Sequence, residues 1–125
     1  VDRLQHIFEL QAKLDAEIEK NHRLPEYDLS TWVQKETMAI IVELAELLEE
    51  VNFKWWKIPH PLNREALKEE LADILHFFVS MCLKVGVSAE ELYQAYLAKN
   101  KENFRRQMGL SSREGYVRLE GKPDE

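Results

Sequence analysis

Four carboxylates in this 125-residue chain stand where a packed helix has little use for them. Glu43 and Glu46 interrupt the apolar run AIIVELAELLEE at 39–50, and Glu70 and Asp73 interrupt KEELADILHFF at 68–78. Each pair is three residues apart, which on a helix projects both side chains from one face. An unpaired carboxylate among apolar neighbours is costly enough to stay protonated or to find a partner. Two antiparallel helices facing each other would bring all four together, and such a cluster repels itself unless something positive lies inside it. A hard divalent cation with oxygen ligands meets that need. Magnesium comes first, because it keeps several waters and leaves room for phosphate, and manganese suits the same ligands. A ferritin-type di-iron site needs Glu-x-x-His on two helices, whereas Asp73 and His76 supply one Asp-x-x-His. The plainer reading of an acidic residue is a salt bridge on a solvated face. It suits Glu49, Glu50, Glu65 and Glu69, and on pattern alone Glu70 lies between the two readings. His76 reads as a hydrogen-bonded histidine rather than a ligand.

Two further groups could meet a nucleotide. The stretch NFKWWK at 52–57 carries Phe53, Trp55 and Trp56 beside Lys54 and Lys57. Aromatic faces stack on nucleobases and lysines reach phosphate oxygens, although a tryptophan plugging the end of a bundle would look the same. In AKNKENFRRQ at 98–107, Lys99, Asn103 and Arg106 are spaced by four and three and share a helix face. Donors and positive charge there suit a triphosphate; an ordinary solvated face would use the same letters. Cys82, within HFFVSMCL, reads as a small buried hydrophobe.

The elements that must position these groups are all helical by pattern. Residues 2–22 form an amphipathic helix with Leu4, Ile7, Phe8, Leu10, Leu14 and Ile18 as its stripe, ended by Pro25. A second helix runs from about Ser30 to Glu50, with Asp28 or Ser30 as N-cap. VNFKWWKIPHPLN, with two prolines, interrupts it. A third helix follows Asn63 and stops at Gly86. Ser88 and Glu91 make a capping box for a fourth, reaching about Gln107 before Gly109. From about residue 110 the tail is polar, and its last positions are expected to be mobile. No strand-period segment or internal repeat is visible. The expected architecture is all-α, a bundle of four main helices in a single domain over 1–125. The second helix is apolar almost all round, so it belongs at the centre of a bundle or in a homodimer interface.

Composition narrows the function. With 45% hydrophobic and 32% charged residues the chain is an ordinary globular one. No segment approaches the roughly 20 apolar residues of a membrane span. The N-terminus, VDRLQHIFEL, shows no secretory-signal pattern and no initial methionine, so one or more residues are expected before it. A single cysteine excludes an intrachain disulfide and fits a reducing, cytoplasmic compartment. The net charge of −6 argues against nucleic acid as a partner. An acidic protein can still take a small polyphosphate when cations bridge carboxylates and phosphates.

E-L-A-E-L, E-L-A-D-I-L-H-F-F and K-N-K-E-N-F-R-R-Q together resemble the all-α nucleoside triphosphate pyrophosphohydrolases, which include MazG-like enzymes and the dimeric dUTPases. F-K-W-W-K, L-H-F-F-V-S and the late Gly115-Tyr116 point toward the dimeric dUTPase branch. The resemblance implies magnesium-dependent hydrolysis of a nucleoside triphosphate to the monophosphate and pyrophosphate, with dUTP as the expected substrate. It implies Glu43, Glu46, Glu70 and Asp73 as catalytic metal ligands, with a carboxylate such as Glu46 taking a proton from water. Lys57, Lys99, Asn103 and Arg106 would hold phosphates or sugar, and Trp56 and Gln11 would meet the base or sugar. Asp15 stands where that branch often has asparagine, and an acid reads a pyrimidine edge differently from an amide. A homodimer is implied, with a tetramer as a further assembly. The alternatives are a MazG-like house-cleaning enzyme for dCTP or non-standard nucleotides, and a helical partner-binding bundle whose carboxylates are structural.

Overall fold

A computed structural model describes residues 2–118. The C-terminal positions expected to be mobile, 119–125, lie outside the described residues, as does residue 1. Among the described residues the regular structure is entirely helical: α1 (Arg3–His22), α2 (Leu29–Glu50), α3 (Arg64–Val85) and α4 (Ala89–Gln107). The chain divides into two compact units, Val1–Ser88 and Ala89–Glu125.

In the first unit the helix ends are set by side chains next to them. Asp2 caps α1 by accepting from Gln5 N at 3.1 Å, and Asp28 caps α2 by accepting from Thr31 N at 2.7 Å. Of the two caps expected for α2, Asp28 is the one used, because its carboxylate serves an otherwise orphaned N–H. Asn63 Oδ1 accepts from both Glu65 N and Ala66 N at the start of α3. Gly86, with φ 84°, ends α3 in the left-handed conformation that glycine adopts without a Cβ clash. α1 stops at His22, before Pro25 can act, because Arg23 adopts φ 48° and its backbone N–H bonds back to Glu19 O.

α3 packs against both α2 and α1. The α2–α3 pair is antiparallel: Glu36 meets Ser80 through a hydrogen bond, Thr37 meets Met81, and Glu46 and Glu70 approach each other farther along. The inner edge of α1 differs from the expected stripe. Phe8 and Gln11 are buried, while Ile7, Leu10, Leu14 and Ile18 are exposed. Spacings of three and four put Phe8, Gln11 and Asp15 on one line, so the buried edge of α1 turns polar along its length. α2 also leaves Met38, Ile41, Val42, Leu44 and Leu48 exposed. Within the first unit it is therefore not a surrounded central helix.

The connection from α2 to α3 is clasped by its own side chains. Asn52, at φ 58°, pairs with the backbone of His60 in both directions at 2.9 Å. The His60 ring bridges the carbonyls of Pro61 and Glu49 at 3.0 Å, and these contacts raise its pKa.

In the second unit, α4 is followed by a segment that folds back on it. Buried Ser111 donates to Glu102 Oε1 at 2.8 Å. That bond, with help from Arg106, holds the Glu102 carboxyl below its ordinary pKa.

Candidate active site

The seam between α2 and α3 gathers the carboxylates. Glu43, Glu46 and Glu70 each offer an oxygen within 4.8 Å of the others. Their helices bring them together because residues three apart on α2 oppose residues three apart on α3 in antiparallel order. Glu43 and Glu70 are half-buried, and their Oε2 atoms are buried without a hydrogen-bond partner. Glu46 is exposed at the rim, which corrects the expectation that it is buried beside Glu43. An ionised carboxylate has no proton to donate to its neighbours. Burial first, then the neighbouring Glu46 and Glu70 carboxyls and the charges of Glu46 and Asp73, push the Glu43 pKa from 4.5 to about 7. Burial also raises Glu70.

Asp73 stands apart from that threesome, is exposed, and lines a groove together with Glu43. Its charge acts on both Glu43 and Glu70.

This donor set fits a hard divalent cation. Oxygen ligands at about 2.1 Å from magnesium lie about 3 Å apart when adjacent and about 4.2 Å when opposite. A spread within 4.8 Å closes onto that geometry with small side-chain movements, and a cation would satisfy the two orphaned oxygens. His76 Nδ1 lies 2.8 Å from Ala72 O, consistent with a hydrogen-bonded histidine.

The groove, of about 550 Å³, runs from Glu43 and Asp73 between α1, α2 and α3 to a polar end. There Gln11 Nε2 donates to Asp15 Oδ1 at 2.9 Å. Lys84 Nζ bonds Glu19 at 2.7 Å, lies 3.7 Å from Asp15 Oδ2, and sits 4.3 Å from the centre of the Trp32 ring. Gln11 and Asp15 thus both line the groove.

Trp56 does not fit that picture within one chain. It lies 59% exposed in the α2–α3 connection, edge-on to Trp55 and Phe53, and the indole lining the groove is Trp32. Lys57 is exposed in the same connection, where its N–H closes a turn onto Lys54 O. In the second unit Lys99 is exposed on α4. Arg106 Nη1 there donates to Asn103 Oδ1 at 3.3 Å and Nε to Glu102 at 3.2 Å, with its guanidinium 5.5 Å from the Tyr116 ring. Cys82 is buried, which raises its thiol pKa, as expected of a packing residue.

Sequence reading missed Trp32, Glu36, Ser80 and Lys84. A signal was present: Glu36 precedes Glu43 by seven residues, and Ser80 follows Asp73 by seven. Seven residues are two helical turns, so each continues the acidic face already identified.

The whole first unit, with the groove and its carboxylates, coincides with a known family: residues 3–88 match the one described as dUTPase. The chain belongs to the dUTPase family. Its all-α architecture agrees with the resemblance drawn from the motifs. Three viral relatives are similar to it. A dCTP pyrophosphatase of Enterobacteria phage T4 is 31% identical over 104 residues, 64% of this chain and 61% of the relative. A dCTP pyrophosphatase of Enterobacteria phage LZ5 is 35% identical over 74 residues, 59% of this chain and 43% of the relative. A DNA replication protein of phage T4 is 29% identical over 98 residues, 59% of this chain and 25% of the relative. The chain spans less than two thirds of the length of each. Lys99, Asn103 and Arg106 of α4 lie beyond the span matched to the dUTPase family. No single described helix is long and apolar enough to cross a membrane.

Proposed function

We propose that this dUTPase-family protein hydrolyses a pyrimidine deoxynucleoside triphosphate to the monophosphate and pyrophosphate, with magnesium. The observation that carries the proposal is the Glu43–Glu46–Glu70 cluster, with two orphaned oxygens, at one end of a nucleotide-sized groove. Glu36 and Glu43 both line that groove, and a seven-residue step on a helix covers about 10 Å. A nucleoside extended along it would leave its phosphates at the acidic end.

Glu43, Glu46, Glu70 and Asp73 hold the cation in this reading, with manganese as a substitute. Bound there, the metal would draw in phosphate oxygens, neutralise their charge and lower the pKa of water. Exposed Glu46 accepts the proton of the attacking water. Glu43 and Glu70 stay half-buried, where a low dielectric strengthens their hold on positive charge. Lys57 takes the phosphates, and the family resemblance implies phosphate or sugar contacts for Lys99, Asn103 and Arg106 of the second unit as well. Gln11 and Asp15 take the base, and Trp32 lines that end in place of Trp56.

The family description supports dUTP as substrate, and the names of the two phage pyrophosphatases support dCTP. The active form is a homodimer that covers the apolar residues exposed on α1 and α2, with a tetramer as a further assembly. The single buried cysteine suits a cytoplasmic setting.

Pyrophosphate release from dUTP, dCTP, the other common deoxynucleotides and UTP, with and without magnesium, tests the proposal. Magnesium-dependent release from dUTP or dCTP is expected. Silence across the panel would overturn the hydrolase reading and favour a partner-binding bundle.

A further inference from the structure

At the polar end of the groove one serine hydroxyl stands between two carboxyl groups. Ser80 Oγ lies 2.8 Å from Asp15 Oδ2 and 2.7 Å from Glu36 Oε1. A serine hydroxyl carries one proton and can donate to only one of them. The other contact is repulsive unless that carboxyl brings a proton of its own, so the two acids share one, as close carboxyl pairs do. Asp15 has the better claim to the charge, with Gln11 Nε2 at 2.9 Å and Lys84 Nζ at 3.7 Å. Glu36 is only 7% exposed and Ser80 3%. The proton therefore belongs to Glu36, which donates to Ser80, which donates to Asp15.

That chain commits its own donors and leaves acceptors, while Lys84 Nζ beside it is turned to Glu19 at 2.7 Å and Asp15 at 3.7 Å. The Ser80 hydroxyl and the Glu36 acid proton are both used within it. Lone pairs remain on Glu36 and Asp15, and Gln11 keeps one amide N–H. Cytosine presents an amino group, two donors, beside a ring-nitrogen acceptor; uracil presents a carbonyl oxygen beside an N–H. An acceptor-rich wall accepts the amino group and repels the carbonyl.

We propose that Glu36, Ser80 and Asp15 together form the specificity-determining wall of the groove and select cytosine over uracil. The proposal rests on the triphosphate-hydrolase reading above and deepens it. Asp15 and Glu36 face the base edge, Ser80 acts through them as a positioning residue, and none of the three takes part in the cleavage itself.

The test compares kcat/KM for dCTP and dUTP, with magnesium, in the wild type, Glu36→Gln, Asp15→Asn and Ser80→Ala. Asp15→Asn puts an N–H where an acceptor stood, whereas Glu36→Gln keeps the pattern of the protonated acid, its N–H toward Ser80 and its carbonyl toward the groove. The wild type is expected to prefer dCTP; Asp15→Asn should move the dCTP:dUTP ratio toward dUTP by roughly tenfold or more, and Glu36→Gln should leave it near the wild-type value. Ser80→Ala frees the Glu36 proton to face the groove and moves the ratio the same way, which keeps the test available if an amide variant folds poorly. Glu43→Gln, at the acidic end, should depress both substrates alike and leave the ratio unchanged. A wild type that prefers dUTP, an unchanged ratio in folded Asp15→Asn and Ser80→Ala, or a ratio that collapses in Glu36→Gln would overturn the wall and leave the hydrolase reading standing. Silence on every triphosphate would sink the hydrolase reading. In that case binding of dCMP over dUMP by calorimetry would support the wall, and equal or absent binding would overturn it.

Discussion

Glu43 is the residue on which most of the proposed chemistry turns. Its carboxyl keeps a proton to about pH 7 in the metal-free protein, against an ordinary value of 4.5. Between those values the folded state binds more protons than the unfolded one, so stability falls as pH rises. The contribution is fully present below about pH 4.5 and is lost as pH passes about 7. In EDTA the melting temperature should therefore fall across this window, and Glu43→Gln should flatten the fall by removing the charge. Saturating magnesium should also flatten it, because the cation takes the place of the proton and stabilises the folded state. A melting temperature that rises with pH in EDTA would contradict the cluster's like-charge character. Glu43→Gln or Asp73→Asn should lower turnover by at least about a hundredfold, with far-ultraviolet circular dichroism unchanged. Near-normal turnover in either would remove the metal site.

Helices carry the precision of that cluster, and their ends are where small substitutions should be felt. Asn63 caps α3 less than two turns before Glu70. Asn63→Ala should cost about 1 kcal/mol in urea unfolding, and Asn63→Gly only a few tenths. Gly86→Ala should cost about 1 kcal/mol as well. A Cβ there would meet nothing within 4 Å, so the penalty would come from the positive φ alone. These ends were legible in the sequence because each is written in adjacent residues: Asp28, Asn63 and Gly86 act on backbone groups a few positions away. The end of α1 was less so. Arg23 stops it by adopting a left-handed conformation that its residue type does not announce. The two faces of α1 were also misread, since Phe8, Gln11 and Asp15 form the inner line whereas the more apolar Ile7, Leu10, Leu14 and Ile18 stay exposed. Periodicity marks an apolar stripe; it does not say which neighbour covers it.

At the scale of the molecule, the proposed homodimer would cover the apolar residues exposed on α1 and α2. Ile41 is 58% exposed on a helix that is otherwise strongly apolar. Ile41→Glu should shift sedimentation velocity toward the monomer at micromolar concentration while leaving helical content intact. An unchanged sedimentation coefficient would count against a homodimer formed through this face of α2. Sequence by itself determined the four helices, most of their caps and the acidic face of the α2–α3 seam, because those properties depend on residues within a turn or two of each other. Tertiary structure alone decided that Asp73 stands outside the tight threesome, that Trp32 rather than Trp56 lines the groove, and that Glu36 is buried against Ser80. In VQKETMAI, Glu36 looks like any solvated glutamate. Its burial comes from the antiparallel register of α2 on α3 and from the polar edge of α1 closing over both, contacts between residues 44 and 65 positions apart. No local pattern encodes a distance of that kind.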